Sequence, residues 1–421
     1  MARISICAHG CKVNQYEAEQ AAAKAAAAGH VLVEFGQPAE VQVVHTCAVT
    51  AAAVRDGRQA LRRARRLNPS GRVVATGCAA KTDSASLASV PGIELTGDLD
   101  AVLPSECAGK CRSCGTGLAH RTRALLKIQD GCRFRCAYCI IPNARPVESS
   151  RPVEDVLEEA RRLAERGHKE IVLTGVRITG YRPDGEGRGG LTELVRRLGE
   201  VPGLARVRLT SLHPAETTPD LLRAIAASPN ACPHLHLSLQ SGDDGVLKAM
   251  RRGYTVQRFA EVVAEARALV PDVAITTDVI SGFPGETDEA FQNTLDFLRT
   301  VRFSRAHCFT FSPRPGTAAA AMPGQVPVKL ARERTKQLIR AAAETALEYR
   351  SAMAGQTDSV LVEQEKSPGR MFGHTGRYVE VEFAGDAALA GTLVDVRITG
   401  VTETGLVGEL EGFNERELTD V

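Results

Sequence analysis

The sequence predicts an α/β protein in three parts: an N-terminal parallel α/β domain, a central partial (β/α)6 barrel and a small C-terminal β-barrel. Three observations lead there. Apolar runs alternate with helical patterns over the first part of the chain. Six further strand–helix units then follow one another. Beyond about Gly355 the chain changes to short strands of alternating polarity with glycine-rich turns. Strand–helix alternation builds parallel sheets covered by helices, and a run of such units curls into a barrel or part of one. The boundaries drawn on this basis are 1–116, 117–352 and 353–421.

In the first part RISIC is a strand, HGCKVN a turn and EAEQAAAKAAAAG an alanine-rich helix ending at Gly29. EVQVVHTC and RVVATGC are further strands, with the helix AAAVRDGRQALRRARRLN between them. Each strand runs into a cysteine: Cys11 just past the first, Cys47 and Cys78 at the ends of the others. Loops at the carboxyl edge of an open α/β sheet converge on one crevice. Three cysteines far apart in sequence are therefore expected to meet.

The central strands read ALLKIQ, EIVLTG, RVRLTS, HLHLSLQ, AITTDVIS and RAHCFTF. Directly after the first comes the clip DGCRFRCAYC, carrying Cys132, Cys136 and Cys139 at the edge where such barrels hold active sites. A long helix, VKLARERTKQLIRAAAETALEYRSAM, leads to the tail, whose strands read TDSVLVEQ, YVEVEF, GTLVDVRITGVTET and GLVGEL.

Composition narrows the function. The net charge of +2 makes any nucleic-acid surface a local one. No run of about 18 apolar residues spans a membrane, and the N-terminus lacks a signal-peptide pattern, so a cytoplasmic location is expected. In a reducing compartment the 12 cysteines read as metal ligands or catalytic groups rather than disulfides. Cys7, Cys232 and Cys308 lack clip spacing and read as small apolar core residues.

Three thiolates can hold a 4Fe-4S cluster by three of its irons and leave the fourth open, and an open position makes a metal site reactive. A zinc reading of the Cys132 clip would need a fourth protein ligand, and none is evident beyond Cys139. A second clip, ECAGKCRSCG, has the same spacing but lies in a polar connector. There Cys107, Cys111 and Cys114 with His120 fit a closed zinc site stapling the linker. A bare thiol-rich loop and a further iron–sulfur cluster are the other readings. In the second helix Arg55, Arg58, Arg62 and Arg66 share one stripe, suited to phosphate contacts or simply a solvated face.

These motifs resemble a known family. DGCRFRCAYCIIPNARP is similar to the signature of radical S-adenosyl-L-methionine (radical SAM) enzymes. GCKVNQYEAEQ, HTCAVT and TGCAA resemble the N-terminal domain of the methylthiotransferases, and the tail resembles a TRAM domain, a small RNA-binding barrel. HLHLSLQSGDDGVLKAMRRGYT and TTDVISGFPGETDEAF are similar to further family segments. Within the family GCKVNQYE resembles the branch acting on N6-threonylcarbamoyladenosine 37 of tRNA. The branches for isopentenyladenosine 37 and for an aspartate of ribosomal protein S12 tend to have GCQMN and GCPKN there. Departures from the family pattern are HTC for NTC, NARP, VRITGY, LHP and SGFPGE.

The resemblance implies two 4Fe-4S clusters. One, on Cys132, Cys136 and Cys139, binds S-adenosyl-L-methionine and generates a radical able to attack an unactivated adenine carbon. The other, on Cys11, Cys47 and Cys78, carries the sulfur that a second S-adenosyl-L-methionine methylates. Tyr138, Thr174, Gly175, Ser211, Gln240, Asp278 and Gly282 are the expected cofactor-binding residues. The implied partners are the tRNA anticodon stem-loop, a flavodoxin or ferredoxin as electron donor, and a sulfur source, with no membrane. The rival from another class is a non-catalytic, zinc-stapled RNA-binding protein.

Overall fold

The computed structural model describes residues 1–102, 121–185 and 190–412. The connector clip with Cys107, Cys111, Cys114 and His120 lies outside the described residues.

The first sheet is all parallel. Its strands are β1 (Arg3–Ala8), β2 (Val31–Leu32), β3 (Val41–Thr46), β4 (Arg72–Gly77) and β5 (Glu94–Leu95), in the order β2-β1-β3-β4-β5. All but the first residue of β3 are buried, as a strand covered on both faces requires. Helix α1 (Lys12–Ala27) lays Ala18, Ala21, Ala22 and Ala25 against Ile4, Ile6 and Val43. Helix α2 (Ala51–Leu67) covers the other face with Val54, Leu61 and Ala64. Its start is capped by Thr50, whose hydroxyl accepts from the Ala53 N–H. The predicted turn HGCKVN proves shorter. Lys12–Asn14 are already helical, because Val13 and Asn14 are drawn into the core. The two-residue strands β2 and β5 were too short to leave a periodic signal.

The central sheet contains β6 (Arg123–Asp130), β7 (Ser149–Ser150), β8 (Glu170–Gly175), β9 (Arg206–Leu209), β10 (His234–His236), β11 (Ala274–Ser281) and β12 (Arg305–Thr310). Parallel bridges Val207–Ala231 and Leu212–Leu237 join its halves β7-β6-β8-β9 and β10-β11-β12. The result is six parallel strands curled into a partial barrel, with β7 antiparallel at one edge. The six strands are those expected. Helix Val328–Ser351 packs on β12 and leads to the tail.

The tail closes into a barrel of β13 (Thr357–Ser367), β14 (Arg370–Thr375), β15 (Glu380–Ala384), β16 (Leu393–Val401) and β17 (Leu406–Leu410). Strand β14 was missed in the sequence. Its interior Gly373 interrupts the alternation, and a Cβ there would lie 2.2 Å from the Leu361 carbonyl oxygen. The tail docks on the amino ends of the central strands. Arg206 donates to the His374 carbonyl (3.0 Å), and Arg208 donates to that of Gly376 (2.9 Å) and to Glu170 Oε1 (2.6 Å). The opposite, carboxyl edge is left for the cysteine clip.

Candidate active site

The clip begins at Gly131, whose φ of 73° and neighbours both demand glycine: a Cβ would sit 1.9 Å from the Val147 carbonyl oxygen. The chain then folds back on itself. The Cys132 N–H donates to the Arg145 carbonyl (3.2 Å) and the Cys139 N–H to that of Cys136 (3.0 Å). Ala137 is pinned on both sides, donating to Met250 (3.0 Å) and accepting from Ala319 (2.7 Å). Arg252 Nη1 approaches Cys136 Sγ at 3.4 Å while its Nε donates to the Tyr254 hydroxyl at 3.1 Å. All three thiols are free and half-buried. Burial pushes the Cys139 thiol up to about 12 and raises that of Cys132. Coordination by a metal reverses that cost, because the ligand is the thiolate.

The dispersed triad also assembles. Cys11 is the N-terminal cap of α1, Cys47 follows β3, and Cys78 opens a short helix after β4. Gly10, at φ 94°, lets the turn close over Cys47: a Cβ there would come 2.5 Å from Cys47 Sγ. Burial raises the Cys47 thiol, the Val49 N–H lowers it, and the nearby Cys11 and Cys78 sulfurs raise it further. Asn14 lies 3.8 Å from Cys11 Sγ and 4.0 Å from Cys78 Sγ through its Oδ1. Its amide holds the main chain by donating to His9 (3.1 Å) and Thr46 (3.0 Å).

One residue ties the two triads together. The Arg145 carbonyl accepts from Cys132, while its Nε lies 3.3 Å from Cys78 Sγ. Its Nη atoms donate to Glu17 (2.6 and 2.7 Å), Asp130 (2.9 Å) and Asn14 (3.2 Å). Lys127 Nζ bonds Glu17 and Asp130, each at 2.6 Å. Burial works against the Glu17 carboxylate, but hydrogen bonds from Arg145 and His45 and the charge of Lys127 hold its pKa far below the usual range. This seam borders a cavity of about 280 Å³ between the first sheet and the central barrel. Glu17, Lys127, Asp130 and Arg145 were absent from the sequence reading. The only trace of the seam there was NARP standing in place of the family's ARG.

The other candidates are scattered around the edge. Thr174 is buried at the end of β8, and a Cβ on Gly175 would lie 2.9 Å from the Gln129 carbonyl. Ser211 is exposed beyond β9. Gln240 has a positive φ of 74°, and its main chain bridges β11 through Asp278 (2.8 Å) and Ile280 (2.9 Å). Asp278 pairs with His236 at 3.2 Å. At Gly282 the space for a Cβ is filled by Ala331, and its N–H is taken by Glu286 (3.0 Å). Tyr138 packs beside Ala137, Met250 and Phe283. Beside the clip, Phe134 lies between the Arg177 guanidinium (4.2 Å) and the His213 ring (4.9 Å), and Arg177 is held by Glu148 (2.7 Å) and Glu216 (2.5 Å).

On α2 the arginine stripe faces outward. Arg55, Arg62 and Arg66 are exposed and Arg58 is half-buried. Arg62, Arg63 and Arg66 border an open groove of about 940 Å³ with Phe35, His9 and Cys7. Arg65 is instead spent on main-chain carbonyls of Asn68 (3.2 Å) and Gly71 (3.0 Å). Of the three cysteines expected in the core, Cys232 is buried, while Cys7 and Cys308 are only half-buried. Cys7 borders the groove, because its strand edge opens there.

The Radical SAM superfamily model matches residues 126–298, that of the Uncharacterized protein family UPF0004 residues 3–96, and the TRAM domain residues 351–410. The chain is 36% identical to a Threonylcarbamoyladenosine tRNA methylthiotransferase of Thermotoga maritima, covering 97% of this chain and 96% of the relative. The chain belongs to the radical SAM methylthiotransferase family. The same-named Bacillus subtilis enzyme is 35% identical over 100% of this chain and 99% of its own. A tRNA-2-methylthio-N(6)-dimethylallyladenosine synthase of Mycobacteroides abscessus is also 35% identical, over 95% and 87%. Among solved structures the radical S-adenosylmethionine methyltransferase TsrM from Kitasatospora setae superposes with a TM-score of 0.54 at 14% identity, covering 88% of this chain and 81% of that one. That likeness concerns the fold alone.

The methylthiotransferase is thus an enzyme, which sets aside the non-catalytic, zinc-stapled reading. Membership in the radical SAM superfamily implies S-adenosyl-L-methionine and a 4Fe-4S cluster. The three half-buried free thiols of the Cys132 clip are a donor set that fits it. Among the described residues no helix is long and apolar enough to cross a membrane.

Proposed function

We propose that this methylthiotransferase acts on tRNA, placing a methylthio group on carbon 2 of N6-threonylcarbamoyladenosine at position 37. The observation that carries the chemistry is the Arg145 link. A single residue contacts Cys132 through its carbonyl and Cys78 through its guanidinium, so a free thiol triad of the first sheet faces one of the central barrel across the seam. Full-length similarity to threonylcarbamoyladenosine tRNA methylthiotransferases supports the substrate.

In this reading Cys132, Cys136 and Cys139 hold the cluster that binds S-adenosyl-L-methionine, and Cys11, Cys47 and Cys78 hold the sulfur-carrying one. When bound, these groups supply one-electron cleavage and sulfur transfer to an unactivated carbon, chemistry beyond any side chain. The chain's own share is positioning. Arg252 donates toward Cys136 Sγ, and Arg145 does the same for Cys78 Sγ. Asn14 and Gly10 set the turn that delivers Cys11 over Cys47. Tyr138, Thr174, Gly175, Ser211, Gln240 and Gly282 shape the edge around the cofactor. The α2 arginines and the TRAM barrel hold the anticodon stem-loop through phosphate and shape contacts. A flavodoxin or ferredoxin supplies the electron, a separate donor the sulfur, and the boundaries 1–116, 117–352 and 353–421 mark the working parts.

The 35% identity to dimethylallyladenosine synthases favours a second reading, the same chemistry on N6-isopentenyladenosine 37. Mass spectrometry of tRNA nucleosides from a deletion strain decides between them. Loss of 2-methylthio-N6-threonylcarbamoyladenosine supports the first reading; loss of the isopentenyl derivative alone refutes it.

A further inference from the structure

The register of the central sheet places a polar cluster inside the barrel, below the clip. On β11, Thr276, Asp278 and Ile280 share one face. That face is the lumen, because Ile280 packs with Ala137, Tyr138 and Phe283 under the clip, while Val279 on the other face joins the helix-side core. Asp278 is the strand partner of His307 and Ile280 that of Phe309. His236 is the partner of Thr276. His236 thus lines one level of the lumen, and Asp278 with His307 the next level toward the clip.

Their contacts are close. His236 Nε2 lies 3.2 Å from Asp278 Oδ2, and His236 Nδ1 lies 3.0 Å from Thr276 Oγ1. The His236 and His307 rings are 6.1 Å apart, and one polar atom from each of the three side chains falls within 4.8 Å of the others. All three are half-buried, so solvent reaches part of the cluster and it is not sealed in the core. One level toward the clip, Phe309 is 45% exposed, an aromatic face left uncovered at the mouth. Below, His234 rests on Tyr378 of the tail at 5.1 Å and closes the floor.

One exposed cation lies within electrostatic reach of the cluster. Lys12, the first residue of α1 beside Cys11, acts electrostatically on Asp278 and His307. It has no ion-pair partner among the described residues. The neighbouring cations are committed: Arg177 to Glu148 and Glu216, Arg145 and Lys127 to Glu17 and Asp130.

We infer that His236, Asp278, His307 and Lys12 form the recognition pocket for the threonylcarbamoyl arm of the substrate, with Phe309 stacking on its adenine. The inference rests on the proposed function and names the residues that set its specificity. The arm carries a carboxylate, a hydroxyl and ureido N–H groups. The Lys12 ammonium and an imidazole N–H pair with the carboxylate, and the Asp278 carboxylate accepts from the ureido or hydroxyl hydrogen. A dimethylallyl arm offers no partner to any of these groups. Sites built to hydrogen-bond a substrate reject analogues that leave buried polar groups unpaired.

The test uses the reconstituted holoenzyme on three anticodon stem-loops, bearing N6-threonylcarbamoyladenosine, its carboxyl methyl ester, or N6-isopentenyladenosine. The wild type is expected to favour the free acid over the ester by at least about tenfold in kcat/KM. Lys12→Met and His307→Phe should lower kcat/KM for the acid by a similar factor, chiefly through KM, and bring the acid-to-ester ratio near one. Iron content and 5′-deoxyadenosine formation should stay at wild-type levels. Asp278→Asn provides a variant remote from the Cys11 turn. Undiminished preference for the acid in all three variants would overturn the pocket while leaving the proposed function standing. Wild-type activity confined to the isopentenyl stem-loop would overturn both. Loss of the preference on chelating a divalent ion, with cluster iron intact, would assign the three side chains to a metal instead.

Discussion

The two cysteine triads reach the same end by opposite routes. Cys132, Cys136 and Cys139 lie within one loop after one strand, so their meeting costs little chain entropy and depends on local turns. Cys11, Cys47 and Cys78 come from three separate strand ends and meet only because the parallel sheet brings those ends together. A local clip is therefore robust and legible, whereas a dispersed one is only as sound as the fold beneath it. In the proposed function the two also differ in role, and the largest expected effect separates them. Cys132→Ala should abolish both 5′-deoxyadenosine formation and product. Cys47→Ala should abolish methylthiolated product while 5′-deoxyadenosine formation persists and about half the cluster iron remains. Chromatography of the nucleosides with iron analysis checks both, and full product from Cys47→Ala would refute the division of labour.

The next effect concerns the seam on which the dispersed triad depends. Arg145→Met leaves Glu17 and Asp130 largely buried, sharing Lys127, with His45 as a further partner of Glu17 alone. Removing one partner of a buried ionic network costs about 3 kcal/mol. Anaerobic calorimetry should show a lowered Tm, and the iron held by Cys11, Cys47 and Cys78 should be lost before that of the local clip. Arg145→Lys keeps the charge but not the fork that reaches Cys78, Glu17 and Asp130 together, so it should restore stability only in part. Equal loss of iron from both triads would show that the seam supports them alike.

This contrast also explains what could be read in the sequence. The clip, the six central strands and the three strand-end cysteines were legible, because spacing and alternation are local properties. The Arg145 seam was not. Residues 14, 17, 127, 130 and 145 are neighbours only after two domains pack; four of them lie inside quoted motifs, but nothing in those motifs shows that the segments meet. Strand β14 was lost to a single glycine, Gly373, which packing requires and alternation cannot anticipate. The lumen cluster shows the same limit. His236, Asp278 and His307 lie on three strands that could be named, but which face each occupies depends on register.

A smaller effect tests whether the arginine stripe is more than a solvated face. Arg62 and Arg66 are exposed at the groove, unlike Arg65, which serves the main chain. Arg62→Glu with Arg66→Glu should weaken tRNA binding about tenfold at low salt and reduce the slope of log affinity against log salt by about 0.9 per lost phosphate contact. Filter binding across salt concentrations measures both. Unchanged affinity and slope would return the stripe to an ordinary helix face.

The smallest effect is a pH dependence that should separate the triads again. The Glu17 carboxyl, on the second turn past Cys11, has its pKa held far below the usual range in the folded protein. A depressed folded pKa contributes stability above the unfolded value of about 4.3, and that stability fades as the pH falls toward the folded value. The unfolded chain takes up the proton first, so unfolding becomes easier on acidification. Each such group changes stability by at most about 1.4 kcal/mol per pH unit, and by less than that just above its unfolded pKa. Between pH 5.5 and 4.5 the wild type should therefore lose part of its stability at a slope that Glu17→Gln flattens, although the variant is weaker at neutral pH. Glu17 stays ionised in the folded protein over this range, so acid should favour only openings that free Glu17 from Arg145, which release the dispersed triad before the clip. Denaturant unfolding at stepped pH reads the slope, and an identical slope in Glu17→Gln would locate the acid sensitivity elsewhere.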